Sequence, residues 1–330
     1  MGCAIFILTV NNPVRKTYLK TCLYFLFKNF NAKYKYPVVI FHEGDYDNAA
    51  VNEVLAGIRQ ECRHLVRFHT VDPYDFTIPD NIDRERFASV LDIKPTPYWR
   101  DEKYRMMCRW WMIHMPKYAE GYDYVMRLDD DSIIEEPIDN DLFDYCKERD
   151  LVYASNIIHI DCGICCYGMK QFFERLDFVK DNEEKKAEIT RLFQRTEVPW
   201  NSFQYNKVRS LLAINNESVP ENQKAPIELW MPMMYYNNFH ITRPSFWKEE
   251  RVQEILREID NNGGIFYYRW GDAPLQTLVA IIVGGADKVT KIGFRYSKRM
   301  QREAFKGDDD KYYSYMPGLY CQSSCVTEKS

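Results

Sequence analysis

Short apolar runs alternate with stretches of helical pattern between residues 4 and 128, and this alternation constrains the fold more than any other feature. The apolar runs predict strands at 4–10, 37–41, 65–71 and 122–128, and the stretches between them predict helices at 14–30, 49–61 and 101–115. Strands that alternate with helices pair in parallel, and the helices cover both faces of the sheet. The sequence therefore predicts an α/β fold with a single, mostly parallel central sheet flanked by helices.

The remainder of the chain continues this pattern with longer insertions. It predicts strands at 151–155 and 162–167, helices within 170–196 and at 244–260 and 273–283, and a polar surface insertion at 214–226. No internal repeat or linker interrupts the chain. We therefore expect one domain over residues 1–330.

Composition and charge exclude several classes of protein. The formal net charge is −4 with both signs mixed along the chain, so no basic block points to nucleic acid. Ten cysteines in 330 residues are too sparse for a disulfide scaffold. No run approaches the roughly 18 apolar residues of a membrane span, and no signal-peptide pattern precedes the first strand. We expect a soluble, cytoplasmic protein without a membrane span.

An acidic triplet, Asp129-Asp130-Asp131, directly follows the strand predicted at 122–128. Residues i and i+2 of an extended segment project to one side, so Asp129 and Asp131 can share a divalent cation. Open α/β sheets bind ligands at the carboxyl ends of their strands, and Mg²⁺ or Mn²⁺ prefers carboxylate and phosphate oxygens. The alternative interpretation is a solvated acidic turn.

Three further sets of residues are candidates for ligand binding. Arg105 and Arg109 share one helix face, which suits phosphate oxygens or a pair of arginines shielding the core. Thr9 and Asn11, after the first strand, and the turn at 43–45 are expected near a nucleoside. Asp272 stands at a helix start, where it either caps the helix or faces a substrate hydroxyl.

Four ordered motifs resemble those of glycosyltransferase family 15, the yeast-type α-1,2-mannosyltransferases. They are Tyr-Arg-Met-Met-Cys-Arg at 104–109, Arg-Leu-Asp-Asp-Asp at 127–131, Asn-Phe-His-Ile at 238–241 and the long run at 263–274, Gly-Gly-Ile-Phe-Tyr-Tyr-Arg-Trp-Gly-Asp-Ala-Pro. The last run is the most specific of the four. The chain is thus similar to this family over most of its length.

The resemblance implies a GT-A fold, a GDP-mannose donor, Mn²⁺ (or Mg²⁺), retention of the α configuration and a mannose-type glycan acceptor. Residues 1–131 would form the nucleotide-sugar-binding half, ending in the acidic motif, and 132–330 the acceptor-binding half. The implied residues are Asp129 and Asp131 for the metal, Tyr104 and Asp130 for the donor, and Tyr268, Arg269, Trp270 and Asn238 for the acceptor cleft.

This chain departs from the family motifs at two positions. The family's glutamate is His240 here, which could be a general base near pH 7 or a hydrogen-bonded cleft residue. The family's metal histidine is replaced within Ile292-Gly293-Phe294-Arg295-Tyr296, where Arg295 could bind the diphosphate directly. Asp272 becomes the leading candidate for the catalytic carboxylate.

These departures keep other functions open. One is a glycosyltransferase of the same fold with another donor, such as a UDP-sugar, because changes at the binding site alter specificity. Another is an inactive module that binds sugar or nucleotide. The family's fungal members are Golgi enzymes, so a Golgi lumen location is the alternative to the cytoplasm. We expect a divergent, soluble member of the family.

Overall fold

A computed structural model describes residues 2–219, 221–222, 224–298, 303–306 and 312–315. Two of the ten cysteines, Cys321 and Cys325, lie outside the described residues. The strands are β1 Gly2–Leu8, β2 Val38–His42, β3 Val66–Thr70, β4 Tyr122–Leu128, β5 Ser132–Ile134, β6 Tyr153–Ile160, β7 Phe193–Val198, β8 Ile227–Thr242, β9 Val289–Lys291, β10 Tyr296–Lys298, β11 Glu303–Lys306 and β12 Tyr312–Tyr315.

The helices lie mainly between these strands. They are α1 Pro13–Leu26, α2 Ala32–Tyr34, α3 Asn48–Ala56, α4 Arg84–Ile93, α5 Glu102–Arg109, α6 Met115–Tyr118, α7 Leu142–Glu148, α8 Met169–Glu174, α9 Glu183–Arg191, α10 Tyr205–Ile214, α11 Pro244–Trp247, α12 Glu250–Asn262, α13 Gly264–Tyr267 and α14 Asp272–Val279. Short π-helical turns at Phe27–Asn31, Trp110–His114 and Ala280–Gly284 extend α1, α5 and α14, and 3₁₀ turns lie at Gln60–Leu65, Pro73–Phe76 and Ala286–Lys288.

The central sheet has the strand order β3-β2-β1-β4-β8-β6-β9. β3, β2, β1 and β4 pair in parallel, as do β6 and β9, whereas β8 runs antiparallel to β4 and β6. The predicted α/β fold with a mostly parallel sheet is therefore confirmed. β7 pairs with the far end of β8, and β10 pairs antiparallel with β5.

Both faces of the sheet are packed against apolar side chains, as β1 shows. Ala4 and Phe6 belong to one buried cluster, and Cys3, Ile5 and Ile7 belong to the other. Successive side chains of a strand point to opposite faces, so an uninterrupted apolar run indicates a strand covered on both sides.

The structure corrects three local predictions. Residues 162–167 form turns rather than a strand, with Gly163 packed against β8 so closely that a Cβ would lie 3.1 Å from Leu229 and Met231. The helix predicted at 244–260 is two helices, α11 and α12. Asp272 does not cap α14: Gly271 holds the N-cap position without a side-chain hydrogen bond, and Asp272 is the first helical residue.

The sheet contains strands from both predicted halves of the chain, because β4 pairs with β8. The division into a donor half and an acceptor half stays a prediction. Among the described residues, no helix combines the length and apolar character that crossing a bilayer requires. The cytoplasmic location expected from the sequence also stays a prediction.

Candidate active site

The acidic triplet lies in a tight turn between β4 and β5. β4 is buried over Tyr124–Leu128, and the turn begins where the strand ends. The Asp129 amide donates to the Asn238 carbonyl at 2.9 Å, and the Ser132 amide donates to the Asp129 carbonyl at 3.0 Å. These bonds fix the three carboxylates at the carboxyl end of β4, where open α/β sheets place ligands.

Two cations from distant parts of the chain neutralise this turn. Lys298 Nζ lies 2.6 Å from Asp129 Oδ2 and 3.4 Å from Asp131 Oδ1. Arg15, near the start of α1, pairs with Asp130 and reaches Asp131 at 3.4 Å. Burial raises the pKa of Asp129, but Arg127 and then Lys298 outweigh it and hold that pKa well below its usual range. The turn therefore carries paired carboxylates rather than free ones.

Asp130 is fully buried and serves the protein itself. It accepts a hydrogen bond from Thr9 Oγ1 at 2.7 Å and binds the Arg15 guanidinium. The expected donor contact of Asp130 is therefore corrected: its oxygens join the ends of β1 and β4. Asn11 instead bonds to Asp45, its amide donating to Oδ2 at 2.5 Å, which brings together the two loops expected near a nucleoside.

A buried network surrounds Asp272. Arg127 Nη1 donates to Asp272 Oδ2 at 2.5 Å, and its Nε donates to Asp129 Oδ1 at 3.0 Å. Asn237 Nδ2 donates to the same Asp272 oxygen at 2.8 Å and to Gln276 Oε1 at 3.0 Å. Both of these bonds to Asp272 end on Oδ2, and the buried Cys108 thiol also hydrogen-bonds to the Asp272 carboxylate.

His240 lies beneath this network and is fully buried. Its ring stacks on Tyr153 with centroids 4.7 Å apart, and Nδ1 lies 3.2 Å from the Asn237 carbonyl. Burial, with the nearby Arg127 charge, lowers the pKa of His240 to about 3. The ring is thus neutral near pH 7 and a weak base. The interpretation of His240 as a general base is corrected to that of a buried, hydrogen-bonded residue.

A cleft of about 570 Å³ opens beside Asp272. Tyr104, Arg269, Asp272 and Lys298 line it. The lining also has an apolar part, formed by Leu229, Met231, Met234, Ile160 and Val198. Flat rings and apolar side chains next to a few polar groups suit a sugar ligand.

Arg269 adopts a left-handed backbone conformation, with φ of 68°. Such a conformation is strained for a residue with a side chain and persists where its surroundings fix it. Arg269 Nη2 donates to both oxygens of Asp161 at 2.8 and 2.9 Å. Burial lowers the pKa of Arg269, but Asp161 outweighs this and raises it well above the usual range. The pair forms a fixed, charged part of the cleft wall.

Other sequence-predicted residues serve packing. Arg105 is fully buried and donates to the carbonyls of Phe266 and Trp99, and Arg109 pairs with Asp260 at 2.7 and 2.8 Å. Neither residue lines the cleft, so the interpretation of the pair as a phosphate-binding site is corrected. Both guanidinium groups bond instead to residues distant in sequence.

Four more expected contacts lie away from the cleft. Trp270 packs on Phe172 and donates to the Tyr167 carbonyl, and Tyr268 donates to Glu217 at 2.9 Å. Asn238 is buried behind the acidic turn, and Arg295 pairs with Glu136 at 2.9 Å. The structure also adds Asn237, Gln276, Arg15 and Lys298, which no local motif singled out.

Comparison with known proteins places this arrangement in a family. Residues 2–303 match the family model described as glycolipid 2-alpha-mannosyltransferase. The chain belongs to this family. The mannosyltransferase-family resemblance of the sequence motifs is thereby confirmed.

Individual members of the glycolipid 2-alpha-mannosyltransferase family are distant in sequence. Probable mannosyltransferase KTR4 of Saccharomyces cerevisiae is 22% identical over 316 residues, covering 92% of this chain and 60% of the relative. Glycolipid 2-alpha-mannosyltransferase of the same yeast is 23% identical over 303 residues, covering 89% of this chain and 60% of the relative. The chain thus spans about three fifths of the length of these curated relatives.

A solved structure extends the likeness to the fold. Core-mannan synthase A of Aspergillus fumigatus, in its Mn/GDP form, superposes with a TM-score of 0.69 at 19% identity. The match covers 97% of this chain and 80% of that one. The predicted GT-A fold is confirmed.

The residues present here do not fit a divalent metal of the kind found in that fungal structure. The Lys298 ammonium stands between Asp129 and Asp131, the two predicted ligands. Of the two residues at or next to the position of the family histidine, Tyr296 bonds through its hydroxyl to Ser132 and Arg295 pairs with Glu136. Across the described ranges, no group of three or more His, Cys, Asp or Glu side chains is arranged to hold a metal.

Proposed function

We propose that this chain is a mannosyltransferase that moves mannose from GDP-mannose to a hydroxyl of a mannose-type glycan, with retention of configuration. The observation that carries the proposal is Asp272, a buried carboxylate that Arg127 and Asn237 hold on the wall of the cleft. Membership of the family and the names of the relatives support the donor and the sugar.

The reaction breaks the bond between the mannose anomeric carbon and the diphosphate oxygen and forms a bond to the acceptor oxygen. GDP leaves with the bonding electron pair, and the acceptor proton passes to the departing phosphate oxygen. Positive charge develops at the anomeric carbon in between. Asp272 stabilises that charge, because a preorganised carboxylate in a dry site interacts strongly with a developing cation.

Neighbouring residues hold the Asp272 side chain in place. Arg127 and Asn237 both donate to Oδ2, and the Cys108 thiol also bonds to the carboxylate, so the side chain is held in one orientation. Gln276 fixes Asn237 in turn. Arg127 lies over the Trp111 ring at 4.1 Å and therefore has little freedom to follow a ligand.

Donor and acceptor take different sides of this carboxylate. The loops joined by Asn11 and Asp45 receive the nucleoside, and Lys298 lies on the diphosphate side. The acceptor sugar takes the part of the cleft between Tyr104, Arg269 and the apolar side chains of β8. Tyr104 offers a ring face, and the Arg269–Asp161 pair offers hydrogen bonds to sugar hydroxyls.

The test is a transfer assay with purified chain, GDP-mannose and methyl α-mannoside, with the product identified by mass spectrometry and its linkage and configuration by NMR. UDP-glucose, UDP-galactose and GDP-fucose serve as competing donors. We expect an α-linked mannosyl product from GDP-mannose alone, and none from the Asp272→Asn variant. Transfer from a UDP-sugar instead, or GDP binding without transfer to any mannoside, would overturn the proposal.

A further inference from the structure

We propose that donor binding by this chain is independent of a divalent metal, because Lys298 supplies the positive charge at the acidic turn. This inference rests on the proposed function, whose diphosphate donor the lysine would bind. The observation behind it is the position of the Lys298 ammonium group beside Asp129 and Asp131.

The position of Lys298 is fixed by strand pairing. β10 pairs antiparallel with β5, and in this register Lys298 lies opposite Ser132, directly after the acidic triplet. Tyr296 and Lys298 share one face of β10, since they are two residues apart. The hydroxyl of Tyr296 bonds to Ser132 and so secures the strand beside the turn. The pairing of β10 with β5 therefore places Lys298 beside the carboxylates of the acidic turn.

The contacts of the ammonium are those that a bridging cation would make. Nζ lies within 3.4 Å of one oxygen of Asp129 and one of Asp131, the two carboxylates that project to one side of the turn. The Lys298 side chain is 10% exposed, and the residue lines the cleft. An ammonium has three donors, so one remains for a diphosphate oxygen.

Three cations already neutralise most of the negative charge of the turn without any added ion, with Arg127 shared between Asp129 and Asp272. Asp129, Asp130 and Asp131 face three cations: Arg127 on Asp129, Arg15 on Asp130 and Asp131, and Lys298 on Asp129 and Asp131. A divalent ion between the two outer carboxylates would have to displace the ammonium or lie against it, and like charges at such separations repel strongly. The site therefore disfavours Mn²⁺ while Lys298 is present.

The first experiment is calorimetric titration of GDP into the purified chain, after chelation and again with added Mn²⁺. We expect the two dissociation constants to agree within about threefold. GDP affinity that is lost on chelation and restored by Mn²⁺ would overturn the inference and leave the proposed function standing. Absence of GDP binding in both conditions would contradict the proposed function instead. In that case the Mn²⁺ uptake experiment below, which needs no nucleotide, tests whether the site excludes the metal.

The second experiment compares Mn²⁺ uptake by the wild type and by Lys298→Met, followed by the paramagnetic resonance signal of free Mn²⁺ and needing no nucleotide. Removing the ammonium takes away the cation that contacts both Asp129 and Asp131, so the variant should bind Mn²⁺ at least tenfold more tightly than the wild type. If the wild type binds GDP, the variant should lose at least tenfold in affinity under chelation and regain part of it with Mn²⁺. Equal uptake by both proteins would overturn the inference.

Two further variants separate this effect from a change in folding. Lys298→Arg keeps the positive charge, so it should retain metal-free GDP binding within a few fold and still exclude Mn²⁺. Lys288→Met makes the same chemical change at a surface lysine that pairs with Asp150, and it should leave both measurements unchanged. If Lys298→Met does not fold, the test rests on Lys298→Arg. Tight Mn²⁺ binding by that variant, which keeps the positive charge, would overturn the inference.

Discussion

The Arg127 guanidinium lies 2.5 Å from the Asp272 carboxylate, although 145 residues separate the two in sequence. Arg127 comes from the end of β4 and Asp272 from the start of α14, and both side chains are at most 5% exposed. The same arginine also binds Asp129 at 3.0 Å. One buried cation thus joins the acidic turn to the carboxylate of the cleft.

Asp272→Asn should lower kcat by about 10² to 10⁴-fold, because the amide keeps the shape of the side chain but removes the charge. GDP binding should change little, since Asp272 acts on the sugar and not on the diphosphate. Transfer kinetics and calorimetry measure the two effects. Asp177→Asn, at an exposed carboxylate, is the matched control. A variant with normal kcat would remove Asp272 from the reaction.

Arg127→Met should destabilise the fold by roughly 3–5 kcal/mol, because it leaves two carboxylates near the network without their buried partner. Urea unfolding followed by tryptophan fluorescence gives the change in the free energy of unfolding. Arg243→Met, whose partner Asp150 lies at the surface, should have a far smaller effect. Equal effects of the two substitutions would mean that the Arg127 pairs contribute no more than surface pairs.

His240 should make the folded state less stable as the pH falls. Its pKa is lowered to about 3 in the folded protein, against an ordinary value near 6.5, so below pH 6.5 the unfolded chain binds a proton that the folded chain does not. The stability present above pH 6.5 is lost progressively as the pH approaches 3.

The loss amounts to about 1.4 kcal/mol per pH unit, or about 2 kcal/mol between pH 6.5 and 5. His240→Gln should lack this component, and its free energy of unfolding should therefore vary less over that interval. NMR of the wild-type imidazole should report a neutral ring at pH 5. Identical pH dependences of the two proteins would show that His240 charges in the folded state.

Gly264→Ala should destabilise the protein by roughly 1–3 kcal/mol, because overfilled cores force side chains out of position. A Cβ at this glycine would lie 2.3 to 2.5 Å from three atoms of the Trp270 ring. Gly293→Ala, where no atom lies within 4 Å of the added carbon, is the control and should be nearly neutral. Thermal unfolding of both variants tests the comparison, and matching midpoints would contradict the packing role of Gly264.

Local patterns predicted the frame of the site. The apolar run before Asp129 fixed β4, and Asp101 caps α5 by accepting from the Tyr104 amide, near the predicted start of that helix. Tyr104 and Asp272, which belong to two of the motifs, both line the cleft, and their roles stay predictions. These features depend on residues close in sequence, where periodicity and capping residues carry the information.

Long-range partners were beyond such patterns. Spacing placed Arg105 and Arg109 on one helix face, but Phe266 and Asp260, more than 150 residues away, decide where their guanidinium groups bond. Lys298 was missed for the same reason: its contact with Asp129 spans 169 residues and depends on a three-residue strand pairing. The prediction that His240 could be a general base depends on the ordinary pKa of histidine. Its burial, which the sequence does not show, lowers that pKa.

The sixteen-residue strand β8 has two sections with different pairing partners. Its last residues are paired on both edges, with β4 and β6, and Asn237 lies just before that section. Its first residues pair with β7 and carry Leu229 and Met231 into the cleft. Substitutions along the first section would therefore reshape the cleft, whereas substitutions in the last section would disturb the pairing of two neighbouring strands.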